Sequence, residues 1–333
     1  METRKVQVTG GSTFTVSIPK DWATENGIAA GDELAFYPQE DALVVSPRES
    51  DDKSEGTLDI TDLHGESLTR SVMTMYVSGF DVIVLESGRI DAEQRQAIRS
   101  ATQSLVGLEV IEETGDRVVI QDLLDSSELS VYNAVTRMRL IALSMLDDAV
   151  TAVCENDDTL AEDVIERDDD VDRLWFMVSR IFRATLRTPK AAEELGIPRE
   201  TCFDYHSSAR QLERVADHAA KMAQHALELG EIPDEVAEAL GTLYEDADVV
   251  VNTAMDALLM DETDQAVELA NEARERVREI DQHTRTVDDR IRNLDAQQAQ
   301  LLGLVVDSLS RTADYGGNVA ETALQKAAPR PEN

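Results

Sequence analysis

Glu213 and Asp217 are four residues apart in a stretch of helical period, so both carboxylates project from one face of a helix. Asp314 holds the place of Asp217 in a later copy of that stretch, and Glu166, Asp169 and Asp172 lie along one side of the helix before it. Carboxylate oxygens gathered without Cys and with few His suit hard cations such as Fe(III), Mg or Mn rather than structural zinc. In a chain with 67 acids the same spacing also arises on a plain solvated face. Glu213 and Asp217 flank the apolar stripe Leu212, Val215, Ala216, Ala219 rather than sit in it, which places them on the bundle surface. A cation site and a solvated face both remain open on the residues alone.

The other charged group is basic. Arg4, Lys5 and Lys20 against the single acid Glu2 give the first twenty residues a net charge of +2 in a chain that is otherwise acidic. Neutralising a DNA backbone needs such a positive face. Over Met1 to Arg48, however, seven acidic residues outnumber four basic ones, a balance that counts against DNA. The five histidines show no HExxH spacing, "TGGST" lacks the continuation of a phosphate-cradling loop, and no Gly-x-Ser-x-Gly nucleophile occurs. The expectation is that the protein is not an enzyme.

Three regions position these residues. In 1–48, "RKVQVTG" and "TFTVSIP" alternate as strands around Gly10-Gly11, one helical turn closes at Gly27, and two further strands follow. The polar run 49–56 reads as a linker. Residues 57–124 read as a small α/β unit, a connector or dimerisation element, with strands at "TLDIT", "DVIVLE", "LEVIEE" and "RVVIQDL" and helices near 65–78 and from Asp91 to about Val106. From 127 to 327 the period is helical, and breaks at 155–158, 188–198, 230–233, 260–264 and near Asp295 delimit six helices. "VIERDDDVDRL" is echoed 109 residues later by "ARERVREIDQH", and "LERVADHAAKMAQHAL" 97 residues later by "LSRTADYGGNVAETAL". Two copies of a three-helix unit account for this.

The charge is the outlier of the composition: 67 acidic against 31 basic residues, a net of -36. The acids are spread along the chain, and lysine occurs only at 5, 20, 53, 190, 221 and 326. High salt screens the self-repulsion of such a surface, so the composition reads as that of a halophile's cytoplasmic protein. No apolar run approaches the ~18 residues a membrane span needs, and membrane insertion is not expected. Cys154 and Cys202 read as small buried hydrophobes.

"RKVQVTGGSTFTVSIPKDWATENGIAAGDEL" resembles the SpoVT/AbrB pattern of a basic strand, a glycine turn, a strand ending in Ile-Pro-Lys, a short helix and Gly-Asp. The resemblance implies a swapped-hairpin β-barrel built by two chains, hence a homodimer, with Arg4, Lys5 and Lys20 facing DNA and Thr13 and Thr15 touching phosphates. "LERVADHAAKMA" and "LSRTADYGGNVAETAL" are similar to the recurring Glu-xxx-Asp-xxx-Asn helix of PhoU, and "VIERDDDVDRL" resembles the helix before it. That resemblance implies tandem three-helix bundles carrying metal clusters on acidic patches and a link to high-affinity phosphate transport. Carried over, Glu166, Asp169, Asp172, Glu213 and Asp217 form the first patch, and Asp281 and Asp314 remain of the second. Lys221 stands where the first copy would carry Asn, and Ser310 replaces the Glu of the second. The chain as a whole resembles an archaeal PhoU-type regulator with an AbrB-like DNA-binding module, a multidomain α+β protein. The expected function is DNA-binding transcriptional regulation of phosphate uptake. The alternative is an adaptor that restrains a phosphate transporter or sensor kinase without touching DNA.

Overall fold

The structure, a computed structural model, describes residues 3–39, 42–47, 53–124 and 130–329. Residues 49–52 of the expected linker and the junction at 125–129 lie outside the described residues. The chain divides into two compact units, Met1–Lys53 and Ser54–Asn333.

The first unit is a small β region. Strands β1 (Gln7–Thr9) and β2 (Thr13–Thr15) pair antiparallel across Gly10 and Gly11, whose φ of +65 and +83 only glycine adopts at little cost. Helix α1 (Lys20–Glu25) precedes a second antiparallel pair, β3 (Leu34–Gln39) with β4 (Ala42–Pro47). In the first hairpin Gln7 faces Thr15 and Thr9 faces Thr13, and Val8 faces Phe14. Alternation therefore puts the polar four on one face and the apolar two on the other. Val8 and Phe14 are 61% and 76% exposed.

The second unit begins with an α/β layer. Strand β5 (Glu55–Asp59), α2 (Gly65–Val77), β6 (Val82–Glu86), α3 (Ala92–Gln103), β7 (Leu108–Glu113) and β8 (Arg117–Asp122) follow in order. The sheet order is β5-β6-β8-β7, with β5 parallel to β6 and the other pairs antiparallel. Residues 55 and 56, read from sequence as linker, belong to β5, because Ser54 N and Oγ both donate to Asp81 Oδ2 at 2.8 Å and fix the strand's entry. Asp91 opens α3 with a reciprocal capping box to Gln94, as its position in the sequence suggests.

Six long helices form the bundle: α4 (Val131–Glu155), α5 (Asp158–Arg187), α7 (Arg199–Leu229), α8 (Asp234–Leu259), α9 (Thr263–Ile291) and α10 (Ala296–Ala327). The break expected at 188–198 holds a short additional helix, α6 (Pro189–Leu195). Proline at its first position, with Thr188 Oγ1 accepting from Ala191 N, starts a new helix where α5 ends. At the first break Asn156 takes the left-handed conformation (φ 53) that closes α4. Helix α7 packs on α4, α5 and α10, and α10 packs on α7, α8 and α9, so these two helices make the spine of the bundle. Leu212, Val215, Ala216, Ala219 and Met222 of α7 are buried along that seam, as the stripe predicted.

The α/β layer packs on the bundle through α2 and α5, with Phe176 against the layer's core, and one side chain makes the polar junction. Arg180 of α5 donates from Nη1 to the carbonyls of Tyr76 and Phe80 at 2.8 and 3.0 Å. Its Nη2 pairs with Asp81 and Asp122 at 2.8 and 3.0 Å, and its guanidinium lies 5.0 Å from the Tyr76 ring centre. Among the described residues no helix is long and apolar enough to cross a membrane.

Candidate functional site

Helix α7 presents Glu213 and Asp217 toward α5, where Asp168 and Asp172 are spaced by the same four residues. Four carboxylates on two packed helices thus act on one another across a shared groove. Glu213 is 8% exposed, which corrects the expectation that it would lie on the open bundle surface. Its Oε1 accepts from Arg210 at 2.5 Å, whereas Oε2 is buried with no hydrogen-bond partner. Arg210 is held in turn over the Trp175 ring, 5.2 Å from its centre. Lys221 approaches Asp217 Oδ2 at 3.9 Å from the next turn of α7.

The electrostatics follow from this crowding. Burial is the largest influence on Glu213, partly offset by Arg210 and reinforced by Asp217 and Asp172, and its carboxyl is pushed up to about 7. Asp172 is also pushed up to about 7, by burial first and then by Asp168, Asp217 and Asp169, against Arg210. Asp168 rises to about 6 through burial, Asp217 and Asp169, with Lys221 opposing. These folded-state values lie above the unfolded ones of about 4, so the native groove holds extra protons between pH ~4 and ~7. Its contribution to stability is greatest at the acid end of that window and falls as pH rises through it. The expected result is that Asp172→Asn/Glu213→Gln loses less stability than the parent between pH 5 and pH 8. Urea denaturation in the presence of a chelator at both pH values measures this; equal losses in the two proteins would refute it.

The other expected ligands are placed differently. Asp169 is exposed, though it adds to the field on Asp168 and Asp172, and Glu166 is exposed with no part in the groove's electrostatics. Asp168 was not singled out from the sequence. The signal that finds it is the i,i+4 spacing it shares with Asp172, matching Glu213 and Asp217. In the second half Asp281 and Asp314 are both exposed. The 109-residue offset puts Val277 at the place of Asp168, and the 97-residue offset puts Ser310, bonded to Thr284 at 3.2 Å, at the place of Glu213. The second groove therefore lacks two of the four carboxylates of the first. Among the described residues no three His, Cys, Asp or Glu side chains converge closely enough to hold a metal ion. The first groove therefore has carboxylate donors, one of them the unpartnered Glu213 Oε2, but not the convergence of a formed metal site.

His218 is half-buried rather than a plain surface residue. Its Nδ1 lies 3.0 Å from Ser308 Oγ and its Nε2 3.3 Å from Tyr315 Oη, which ties α7 to α10 beside the groove. In the first unit Arg4, Lys5, Thr13, Thr15 and Lys20 are all exposed, and Thr15 Oγ1 lies 3.0 Å from Thr9 Oγ1. Lys20 opens α1, with Asp21 beside it and Glu25 at the helix end.

The described residues thus form a β-hairpin module and a helical bundle that carries an acidic groove. The family of the PhoU domain matches residues 135–226, from α4 to α7, and so contains Asp168, Asp172, Glu213 and Asp217. The family described as antidote-toxin recognition MazE, bacterial antitoxin, matches residues 7–53. No curated protein matches the chain. Among solved structures the fold is similar to PhoU from Pseudomonas aeruginosa, with 23% identity, 60% of this chain and 96% of that chain covered, and a TM-score of 0.50. The phosphate transport system regulatory protein PhoU from Streptococcus pneumoniae has 18% identity, with 58% and 91% covered, at a TM-score of 0.49. The first of these similarities shows a PhoU-like all-α fold for the bundle.

Proposed function

We propose that the protein is a homodimeric regulator of phosphate uptake that binds promoter DNA, and not an enzyme. The observation that carries this reading is the presence on one chain of a PhoU domain match at 135–226 and a MazE-type match at 7–53. A signal received by the bundle can then reach DNA without an intermediary. Dimerisation is supported by the first hairpin, since a two-stranded ribbon is marginal alone and its Val8 and Phe14 face is exposed in one chain. Arg4, Lys5 and Lys20 would contact phosphates, with Thr13 and Thr15 on the polar face of the same hairpin. A hard cation (Fe, Mg or Mn) would be held by Glu213, Asp217, Asp172 and Asp168, where it would add to the positive charge that Arg210 and Lys221 supply.

Two measurements test the reading. DNA binding by the full chain is compared with Arg4→Ala/Lys5→Ala across a range of salt up to molar concentrations. Loss of two phosphate contacts per chain is expected to flatten the slope of log K against log salt by about 2 for each chain. No binding by either protein would favour the adaptor reading, which the seven acids against four bases of Met1 to Arg48 support. For the cation, Mn at millimolar concentration should raise the melting temperature of the parent and not of Asp172→Asn/Glu213→Gln; an equal rise in both would remove it from the groove.

A further inference from the structure

From Arg173 to Ala192 the chain has five cations and no acidic residue, where its average would put about four acids. This stretch is the second half of α5 with the start of α6, and α5 packs on the first turns of α7. There the one acid between Thr201 and Leu212, Asp204, is buried. Aromatic rings line the seam. Phe203 and Phe182 lie 5.9 Å apart, Phe182 stacks on His206 at 4.5 Å, and His206 lies 4.9 Å from Trp175, centre to centre. The Arg210 guanidinium continues the series, 5.2 Å from the centre of the Trp175 ring. Phe203 is 50% exposed and Leu186, one turn on from Phe182, is 61% exposed, while Phe182, His206 and Trp175 are half-buried. Burial first, then Arg183 and Arg210, push the His206 imidazole down to about 4, so the ladder carries no charge on this ring at neutral pH. Arg183 and Arg187 stand exposed on its flank, and neither forms an ion pair among the described residues.

We infer that this face is a docking surface for an acidic amphipathic helix of another protein. Aromatic rings and arginine with few acids and little lysine are what the centres of protein interfaces are made of. Elsewhere the chain carries about two acids for each base, so the reversal of sign is local to this seam. The partner's apolar side chains would lie on Phe203, Leu186, Phe182 and Trp175, and its carboxylates would meet Arg183 and Arg187. From Trp175 to Leu186 the seam runs about 16 Å, the length of three helical turns. A symmetric contact between two copies of the chain would instead lay one positive face on another. A nucleic-acid strand would meet its own sign one turn beyond Trp175, where the groove of Asp168, Asp172, Glu213 and Asp217 begins. Docking here is independent of whether the first unit binds DNA, and its failure would leave that reading standing.

Trp175 reports on the surface directly once Trp22, the other tryptophan of the chain, is replaced by Phe. The full chain carrying Trp22→Phe is titrated with a helical peptide of about 15 residues that has Leu on one face, Glu on the other and no Trp. The same peptide with Lys for Glu is the control. A saturable change in Trp175 fluorescence is expected with the acidic peptide, and binding at least tenfold weaker with the basic one. Arg183→Glu/Arg187→Glu, both at exposed positions, should weaken the acidic peptide at least tenfold, and Phe203→Ser severalfold, with the helical melting of the parent retained. Absence of a saturable change, equal binding of the two peptides, or unchanged binding by the arginine variant overturns the inference. So does oligothymidylate that binds as tightly as the acidic peptide, which would give the face to single-stranded nucleic acid. Self-association of the parent that Arg183→Glu/Arg187→Glu abolishes would give it to a second copy and overturn the inference as well.

Discussion

Arg180→Met is expected to cost about 3–5 kcal/mol of unfolding free energy, the range for breaking a buried ion pair by removing one partner. The substitution keeps much of the arginine's volume and removes the donors to two carbonyls and two carboxylates at once. Asp122 bears more of the loss than Asp81, since its side chain is only 10% exposed; it keeps the bond from Leu124 N at 3.0 Å, and Asp81 keeps two from Ser54. Arg180→Lys should cost less, because the charge remains although the planar fork that spans four acceptors does not. Adding Asp122→Asn to Arg180→Met should cost less than the sum of the two single changes, because both remove the same Arg180–Asp122 pair. Guanidinium denaturation measures all four proteins. A loss below about 1 kcal/mol for Arg180→Met would mean that the junction between the α/β layer and the bundle does not depend on this side chain.

The second large effect is at Gly316, and its sign is opposite to that at another glycine of the same helix. A Cβ on Gly316 would lie 2.8 Å from Val250 Cγ1 and 3.1 Å from Val251 Cα, so α8 approaches α10 with no room for a methyl group. The Cα is backbone and cannot rotate away. Gly316→Ala therefore sets about 1 kcal/mol of helix propensity against an overpacking cost of about 1–3 kcal/mol, and a net loss is expected. Gly316→Leu should cost about 3 kcal/mol or more, beyond the top of that overpacking range. Nothing lies within 4 Å of a Cβ placed on Gly303, so Gly303→Ala should instead stabilise by about 0.5–1 kcal/mol. Thermal melts of the two alanine variants side by side decide the matter; two shifts of the same sign would refute it.

Much of this architecture was legible in the residues. The strands of the α/β layer, the capping box at Asp91 and the six long helices follow from period, capping chemistry and breaks, which are local properties. The helix α6 was not legible, because Pro189 and Thr188 read equally well as the end of one helix and the start of another. The pairing of the repeats also gave Gly316 its counterpart, Ala219, and both face the bundle seam. Why one tolerates a methyl group and the other does not depends on the distance between helix backbones, which no sequence pattern carries.

The acidic groove marks the boundary between the two kinds of information most clearly. The sequence by itself determined that α5 and α7 are helices, that each carries carboxylates at helical spacing, and that the second half repeats the first with Ser310 in place of Glu213. It could not select among Glu166, Asp168, Asp169, Asp170 and Asp172, because acids at five of seven consecutive positions cover nearly every face of the helix. Only the rotation of α5 against α7, set by how their apolar stripes interlock, turned Asp168 and Asp172 inward and left Glu166 in solvent. Tertiary structure likewise buried Glu213 and brought Arg180 to carbonyls about a hundred residues away in the chain. Periodicity fixes which side chains share a face; which face meets which neighbour is decided when the core packs, and the chemistry of a site resides there.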